Sequence, residues 1–405
     1  MKKNIVFLLT AVLTLAGLNV FAQFQLSGEF RPRTELSHGY GTLAMEDQDA
    51  SFFTAQRTRL NALYKNEKIK VGLVLQDVRT WGSQRQLVTN EDYATSVHQG
   101  WAEVFFTPEF SLKAGRQELI YDDHRIFGSV GWAHQARSHD IAIFKYEKDY
   151  KLHVGIAHHE NTNRTNNIYD GADAYKNMQF LWYNRAMGKV DFSLLFLNNG
   201  VPDIKEAGQK VRYSQTLGTH TKVKAGDWKL AGNLYMQTGK TKMNGDISAY
   251  NLMVEATCPK GNTIGFERLS GTAYDDTKNK SFTPFYGTNH KFNGWMDYFY
   301  VGNHVGSVGL NDLYAKVNYK KDKFSMAAHL HYFSSAAELA PDAKKYLGTE
   351  LDLTCGWKIS PDASISAGWS FMFAGESMEL LKGGSKDTGN YWGWIMLSVT
   401  PKFIQ

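Results

Sequence analysis

Four arginines stand at alternate positions near the start of the chain: Arg31 and Arg33, then Arg57 and Arg59. Glu29, Glu35 and Asn61 fall in the same phase of the same two segments. Alternate side chains of an extended chain share one face. Each segment therefore has a charged face opposed to a largely apolar one: Phe24, Leu26, Gly28 and Phe30 in the first, Thr58, Leu60, Ala62 and Tyr64 in the second. A guanidinium presents a fixed fork of donors suited to carboxylates. Two chemistries follow from this grouping. One is a track for an anionic solute. The other is a ladder of Arg–Glu pairs that only neutralises the wall. The chain has 13 arginines, nine of them between Arg31 and Arg137, and none follows Arg268.

A second grouping lies late in the chain. Glu350 and Asp352 share a face opposed to Leu351 and Leu353. Asp312, Tyr314, Lys316 and Asn318 share a face opposed to Leu313, Ala315 and Val317. A basic wall faced by a more acidic one would resemble the transverse field of a porin constriction. Ordinary hydration of a polar lumen is the plainer reading of the same residues. His158, His159 and Glu160 stand together, and His329 and His331 share a face, but nothing supplies a third metal ligand from elsewhere. No nucleophile-elbow, zincin, phosphate-loop or dinucleotide motif occurs in a convincing context. The expectation is no catalytic residue, no metal, no cofactor and no enzyme.

The elements that must position these residues are strands. Period-two alternation runs through most of the chain, in segments such as Ser51–Tyr64, Ile69–Leu75, Asn311–Tyr319, Leu347–Trp357 and Tyr391–Phe403. There are about 18 such segments, the even number expected of an antiparallel bacterial barrel with both ends in the periplasm. Connections alternate between short polar turns (Tyr64–Ile69, Tyr146–Tyr150, Tyr319–Lys323, Trp357–Ala363) and long loops (Ser37–Ala50, Ile120–His139, Gly271–Ser307, Ala374–Asn390). That asymmetry belongs to an outer-membrane barrel. A charge facing lipid costs about 2–4 kcal/mol at the bilayer midplane, so the charged faces must line the lumen. The predicted fold is all-β: a closed antiparallel transmembrane barrel with long extracellular loops and short periplasmic turns. Closure also removes the exposed edge that the last strand would otherwise present.

The ends of the chain agree. Lys2 and Lys3, the apolar run Ile5–Leu18 and Val20-Phe21-Ala22 form the three regions of a secretory signal, with cleavage expected after Ala22. Residues 1–22 are thus read as signal and 23–405 as barrel, in the outer membrane of a diderm bacterium. A final strand carrying Phe403 looks like the signal read by barrel-assembly machinery. Without Lys2 and Lys3 the basic count falls from 45 to 43 against 40 acids, a net charge near +3. Such a balance argues against a nucleic-acid partner. Cys258 and Cys355 are too few for a disulfide scaffold in a secreted chain. No separate N-terminal plug domain is visible, and no fixed-period repeat.

Several short motifs in order resemble the alginate export family of outer-membrane proteins. They are Gln56-Arg57-Thr58-Arg59-Leu60, Gln76-Asp77-Val78-Arg79-Thr80-Trp81-Gly82, Gly115-Arg116-Gln117-Glu118-Leu119, Arg125, Trp132 and the stretch from Arg137 to Asp140. The segment Tyr286–Phe292 through Met296–Phe299 is similar to Bacteroidetes-type members. The resemblance implies a monomeric 18-stranded barrel whose arginine-rich lumen passes an anionic polysaccharide. It implies Arg31, Arg33, Arg57, Arg59, Arg79, Arg116 and Arg125 as anion contacts, in outer-membrane lipid. The lack of arginine after Arg268 and the near-neutral balance depart from that pattern. The other expectation is a general or loop-plugged porin, or a binding barrel, for an unrelated small solute.

Overall fold

A computed structural model describes residues 23–86, 95–160, 175–203, 210–300, 304 and 306–404. The expected signal segment, 1–22, lies outside the described residues. The strands are β1 (Gln23–His38), β2 (Ser51–Lys65), β3 (Ile69–Thr80), β4 (Thr95–Phe105), β5 (Phe110–Gln117), β6 (His139–Glu147), β7 (Lys151–His158), β8 (Asn177–Met187), β9 (Val190–Pro202) and β10 (Val211–Ala225). They continue with β11 (Trp228–Lys240), β12 (Asp246–Thr257), β13 (Thr263–Leu269), β14 (Leu310–Lys321), β15 (Phe324–Ser334), β16 (Tyr346–Ser360), β17 (Ala363–Ala374), β18 (Asn390–Val399) and β19 (Lys402–Ile404). Among the described residues a short α-helix, α1 (Glu376–Lys382), sits on the long-loop side, and a single 3-10 turn spans Asn289–Lys291.

From β1 to β18 every strand pairs antiparallel with its sequence neighbours, β18 closes on β1, and β19 pairs with β1 alone. The sheet closes into an 18-strand barrel. The nineteenth segment is the tail of the last stave. Pro401 has no N–H to give the ladder, so pairing breaks there and resumes at Lys402, opposite Ser27. The Pro401 carbonyl still accepts from Gly28 N at 2.9 Å.

The predicted alternation is the barrel wall. Ile69, Val71, Leu73 and Leu75 lie exposed on the outside of β3, while Gln76 is buried within. Closure satisfies the ladder groups of every strand internally, which lipid demands. Aromatic pairs cluster beside the short turns, Phe106 with Phe110 and Tyr146 with Tyr150. Trp228, Tyr319 and Trp357 lie exposed at the same end, an interfacial girdle.

The interior is not an empty tube. The segments 118–138, 270–300 and 306–309 fold inward from the long-loop end. There they pair with each other: Phe127 bridges Tyr286, and Gly128 N donates to the Tyr286 carbonyl at 2.9 Å. Phe127, Tyr286, Met296, Tyr298 and Phe299 are buried, forming a hydrophobic core inside the barrel.

Candidate functional site

The alternation of β1 and β2 places Arg31, Arg33, Arg57 and Arg59 on the inner wall, with Glu29, Glu35 and Asn61. The strands pair with Glu29 opposite Arg59 and Arg31 opposite Arg57. Each Arg–Glu pair forms on that wall. Arg57 holds Glu29 through Nη2 at 2.6 Å and Nε at 3.0 Å. Arg33 holds Glu35 through Nε at 2.8 Å. Asn61 donates to Ser27 Oγ at 3.3 Å.

The remaining donors do something the sequence does not announce. Arg31 Nη1 donates to the Gly131 carbonyl at 2.8 Å, and Nη2 to the Trp132 carbonyl at 3.0 Å. Arg33 Nη1 donates to the Trp132 carbonyl at 2.9 Å. Arg57 Nη1 reaches the carbonyls of Gly131, Ala133 and His134, each at 3.3 Å. Arg59 Nε donates to Gln76 Oε1 at 2.7 Å, and Gln76 Nε2 passes the contact to the Gln135 carbonyl at 3.0 Å. The arginines thus clamp the backbone of 131–135 to the wall. An irregular segment inside a barrel needs partners for its carbonyls, and these guanidinium groups supply them.

The clamp also sets the chemistry of His134, which lies in the docked segment. Burial, then Arg33, Arg31 and Arg57, hold its imidazole down to about 3. It is neutral at ordinary pH. Neither of its ring nitrogens has a hydrogen-bond partner among the described residues.

The second inserted segment is fixed by the late-chain residues. Arg125 is buried; its guanidinium pairs with Glu267 and donates to Asn293 Oδ1 at 3.2 Å. It also lies 3.7 Å from the centre of the Phe292 ring. Asn293 Nδ2 donates to Asp312 at 3.1 Å, and His331 Nδ1 lies 2.9 Å from the same carboxylate. Glu350 accepts from Met296 N at 2.8 Å. Asp352 accepts from Ser370. Lys316 Nζ sits 4.4 Å from the centre of the Tyr314 ring. Asp312, Lys316, Glu350 and Asp352 thus all lie on the inner wall.

Two expectations are corrected. Arg79 and Arg116 do not face the lumen. Arg79 follows the outward phase of β3 and pairs with Asp77 at 2.6 Å, beside Gln56 and Trp81 near the loop end. Arg116 follows the outward phase of β5 and pairs with the exposed Asp140 at 3.0 Å. At the ends of strands such charges leave the hydrocarbon and meet water. The second correction concerns the two walls. The carboxylates do not stand opposite the arginines, because β18 closes on β1. Glu350 on β16 is three staves from β1, roughly 14 Å round the wall at ordinary strand spacing. Trp392 bridges the interval, donating through Nε1 to Glu35 at 3.0 Å.

Sequence reasoning also passed over the lysines. Near the short turns, inward positions carry Lys70, Lys113 and Lys145 on one side of the barrel. Lys222, Lys224 and Lys229 sit on the other, and Lys320 and Lys358 stand near the closure. Their registers confirm the phase: Lys222 stands opposite Asp191 and Ala231, Lys224 opposite Lys229, and Lys358 opposite Ser364. The inward carboxylates at this end are fewer and partnered: Glu103 meets Lys145 at 3.0 Å, Glu147 meets His153 at 3.0 Å, Asp191 accepts from Asn184 at 2.6 Å and Glu255 accepts from Tyr314 at 3.0 Å. The periplasmic vestibule is therefore basic. A count of lysine at lumen phase beside each short turn would have found it.

No protein-family model matches the sequence, and no curated protein matches it either. The fold does have solved counterparts. OccAB4 of Acinetobacter baumannii aligns with a TM-score of 0.63 at 10% identity, covering 94% of this chain and 98% of that one. OccK9 (OpdG) of Pseudomonas aeruginosa aligns with a TM-score of 0.62 at 11% identity, covering 94% and 98%. OccK11 (OpdR) of the same organism gives 0.60 at 10% identity, covering 95% and 96%. At such identity the likeness establishes the fold alone, that of a closed outer-membrane β-barrel. The chain is a β-barrel of the outer membrane.

Proposed function

We propose that the protein is a loop-plugged outer-membrane channel that favours small anionic solutes of saccharide type, without enzymatic activity. The observation that carries the reading is the lysine-lined periplasmic vestibule, which leads to a lumen narrowed by the docked segments 118–138 and 270–300. A vestibule lined by one sign of charge raises the local concentration of the opposite ion.

Export of an anionic polysaccharide is the finer reading attached to the alginate-type resemblance. It would need both inserted segments to leave the lumen, because Arg31, Arg33 and Arg57 are spent on loop carbonyls while the segments are docked. A small solute makes no such demand. The same proposal has the protein working as a monomer in outer-membrane lipid. Its signal segment is removed, and assembly machinery reads the last strand, where Phe403 faces outward.

Planar-bilayer recording across a potassium chloride gradient tests this. The reversal potential should lie on the chloride side of zero. A cation-selective potential, or no channels from correctly folded protein, would end the proposal.

A further inference from the structure

From Ser325 and Ala327 on β15, through Thr354 and Gly356 on β16, to Ser366 and Gly368 on β17, no inward side chain is larger than threonine. Elsewhere the wall projects bulk: Phe180, Trp182, Leu195 and Tyr235 are buried in one core with the inserted Phe127. Beside the small residues two cavities lie instead. The lower, of about 460 Å³, begins at the turn residues Ser360 and Asp362 and is flanked by Lys320 and Lys358. The upper, of about 530 Å³, reaches from the wall to the inserted segments, at His124, Ser129, Thr288 and Lys291. Each is many times the roughly 30 Å³ that one water occupies in the liquid. Both are lined by Ser325, Gly356 and Ser366. These three stand in one row of the ladder, Ser325 opposite Gly356 and Gly356 opposite Ser366. The two voids therefore meet across that row, and together they run from the periplasmic mouth to the underside of the inserted segments.

Lys291 stands where this space meets the inserted segments. It is exposed, while Asn293 and Gly294 just beyond it in sequence are buried. An exposed side chain on a segment folded inside a barrel reaches the open space of the lumen. Its Nζ donates to the Asp123 carbonyl at 2.9 Å, a neutral acceptor, and it has no ion pair among the described residues. The Asp123 carboxylate is turned elsewhere, to Asn233 Nδ2 at 2.6 Å and the Arg125 N–H at 3.0 Å. An ammonium without a carboxylate partner, at the end of a passage that water can fill, attracts anions.

We infer that solute enters from the periplasm along the wall of β15 to β17 and meets the inserted segments at Lys291, which gives this passage its preference for small anions. The small residues supply the width, and Lys291 supplies the sign. The inference rests on the channel reading where flow is concerned. The aqueous route itself is a property of the folded barrel and can be measured without current.

The test is thiol labelling of the purified full-length barrel in detergent micelles. Cys258 and Cys355 are first replaced by serine, and Ser366→Cys, Ser325→Cys or Thr216→Cys is then added. Thr216 faces inward on β10 but is sealed, at 1% exposure. The probes are two water-soluble methanethiosulfonates, the anionic sulfonatoethyl and the cationic trimethylammonioethyl reagent, each scaled to its rate with a free thiol in solution. Ser366→Cys and Ser325→Cys should react with both, the anionic reagent faster, and Thr216→Cys far more slowly with either. Lys291→Gln should lower the anion-to-cation rate ratio at Ser366→Cys by about twofold to fourfold, the worth of a unit charge across several ångströms of water. Labelling of Ser366→Cys should then reduce its single-channel conductance. The route is refuted if both serine positions are unreactive in barrels of normal heat-modifiable migration, if Thr216→Cys reacts as fast, or if labelled Ser366→Cys conducts as before. An unchanged rate ratio in Lys291→Gln refutes the role given to Lys291. A barrel that labels as expected yet carries no current in bilayers would overturn the channel reading and leave the aqueous route standing.

Discussion

Arg33 grips Trp132 in two ways: Nη1 donates to its carbonyl at 2.9 Å, and the guanidinium lies 4.1 Å from the centre of its ring. One residue belongs to the barrel wall and the other to the inserted segment, 99 positions away. A hydrogen bond from a charged donor contributes about 1.5–3 kcal/mol. A desolvated cation over a tryptophan adds about 2 kcal/mol. With Arg31 and Arg57 gripping the same stretch, the docked state of the segment 118–138 is the favoured one.

Acid should loosen the clamp. His134 in the docked segment is held down from 6.5 to about 3 by burial and by Arg33, Arg31 and Arg57. Once released, the imidazole regains its ordinary affinity. Because the docked form refuses the proton, its contribution is complete above about 6.5 and is lost progressively as pH falls from 6.5 toward 3. Channel conductance should therefore rise, and grow noisier, as pH is lowered through that window. His134→Gln, which cannot titrate, should flatten the profile; a profile equally steep in this variant would place the sensor elsewhere.

The outward arginines provide a control. Arg79→Gln and Arg116→Gln remove positive charge outside the barrel, where Asp77 and Asp140 are the partners. Exposed pairs of this kind contribute about 0–1 kcal/mol. Reversal potential and single-channel conductance should both stay at the wild-type value. A shift toward cations in either variant would return these residues to the conduction path.

Arg125 and Glu267 should behave as a buried pair. Arg125→Met leaves the Glu267 carboxylate enclosed without its cation, and breaking such a pair costs about 3–5 kcal/mol. Undocking should follow, seen as chymotryptic cleavage near Tyr121, Phe127 or Trp132 that the wild type resists. Combining it with Glu267→Gln should restore much of the resistance. Equal cleavage of single and double variants would show that the pair is not coupled.

The lysines of the vestibule should set the sign of selectivity. Lys222→Gln, Lys229→Gln and Lys320→Gln together should move the reversal potential toward zero without changing heat-modifiable migration of the folded barrel. An unmoved potential would mean that the vestibule does not act on ions.

Much of the architecture was legible from alternation alone, because each strand has one lipid face and one wet face. The phase of Phe24 to Phe30 against Glu29 to Glu35 is read directly from the residues. Loop docking was not legible. The carbonyls of Gly131, Trp132 and Ala133 have no sequence signature, so their demand for donors is invisible until the segment is seen inside the barrel. Closure misled in a different way. Arg33 and Glu350 are 317 positions apart in sequence, yet only three staves separate their strands. The outward turn of Arg79 and Arg116 was hidden because charges at strand ends escape the lipid penalty that fixes the phase elsewhere.

The most direct test of the clamp keeps the charge and changes only the fork. In Arg33→Lys/Arg57→Lys, the lumen retains its positive charge while the paired donation to 131–134 is lost. Single-channel recording should show a larger and noisier conductance than the wild type, and Arg33→Ala/Arg57→Ala should show the same despite losing two cations. Unchanged conductance in the lysine variant, with reduced conductance in the alanine variant, would mean that these arginines serve a passing anion and hold no loop.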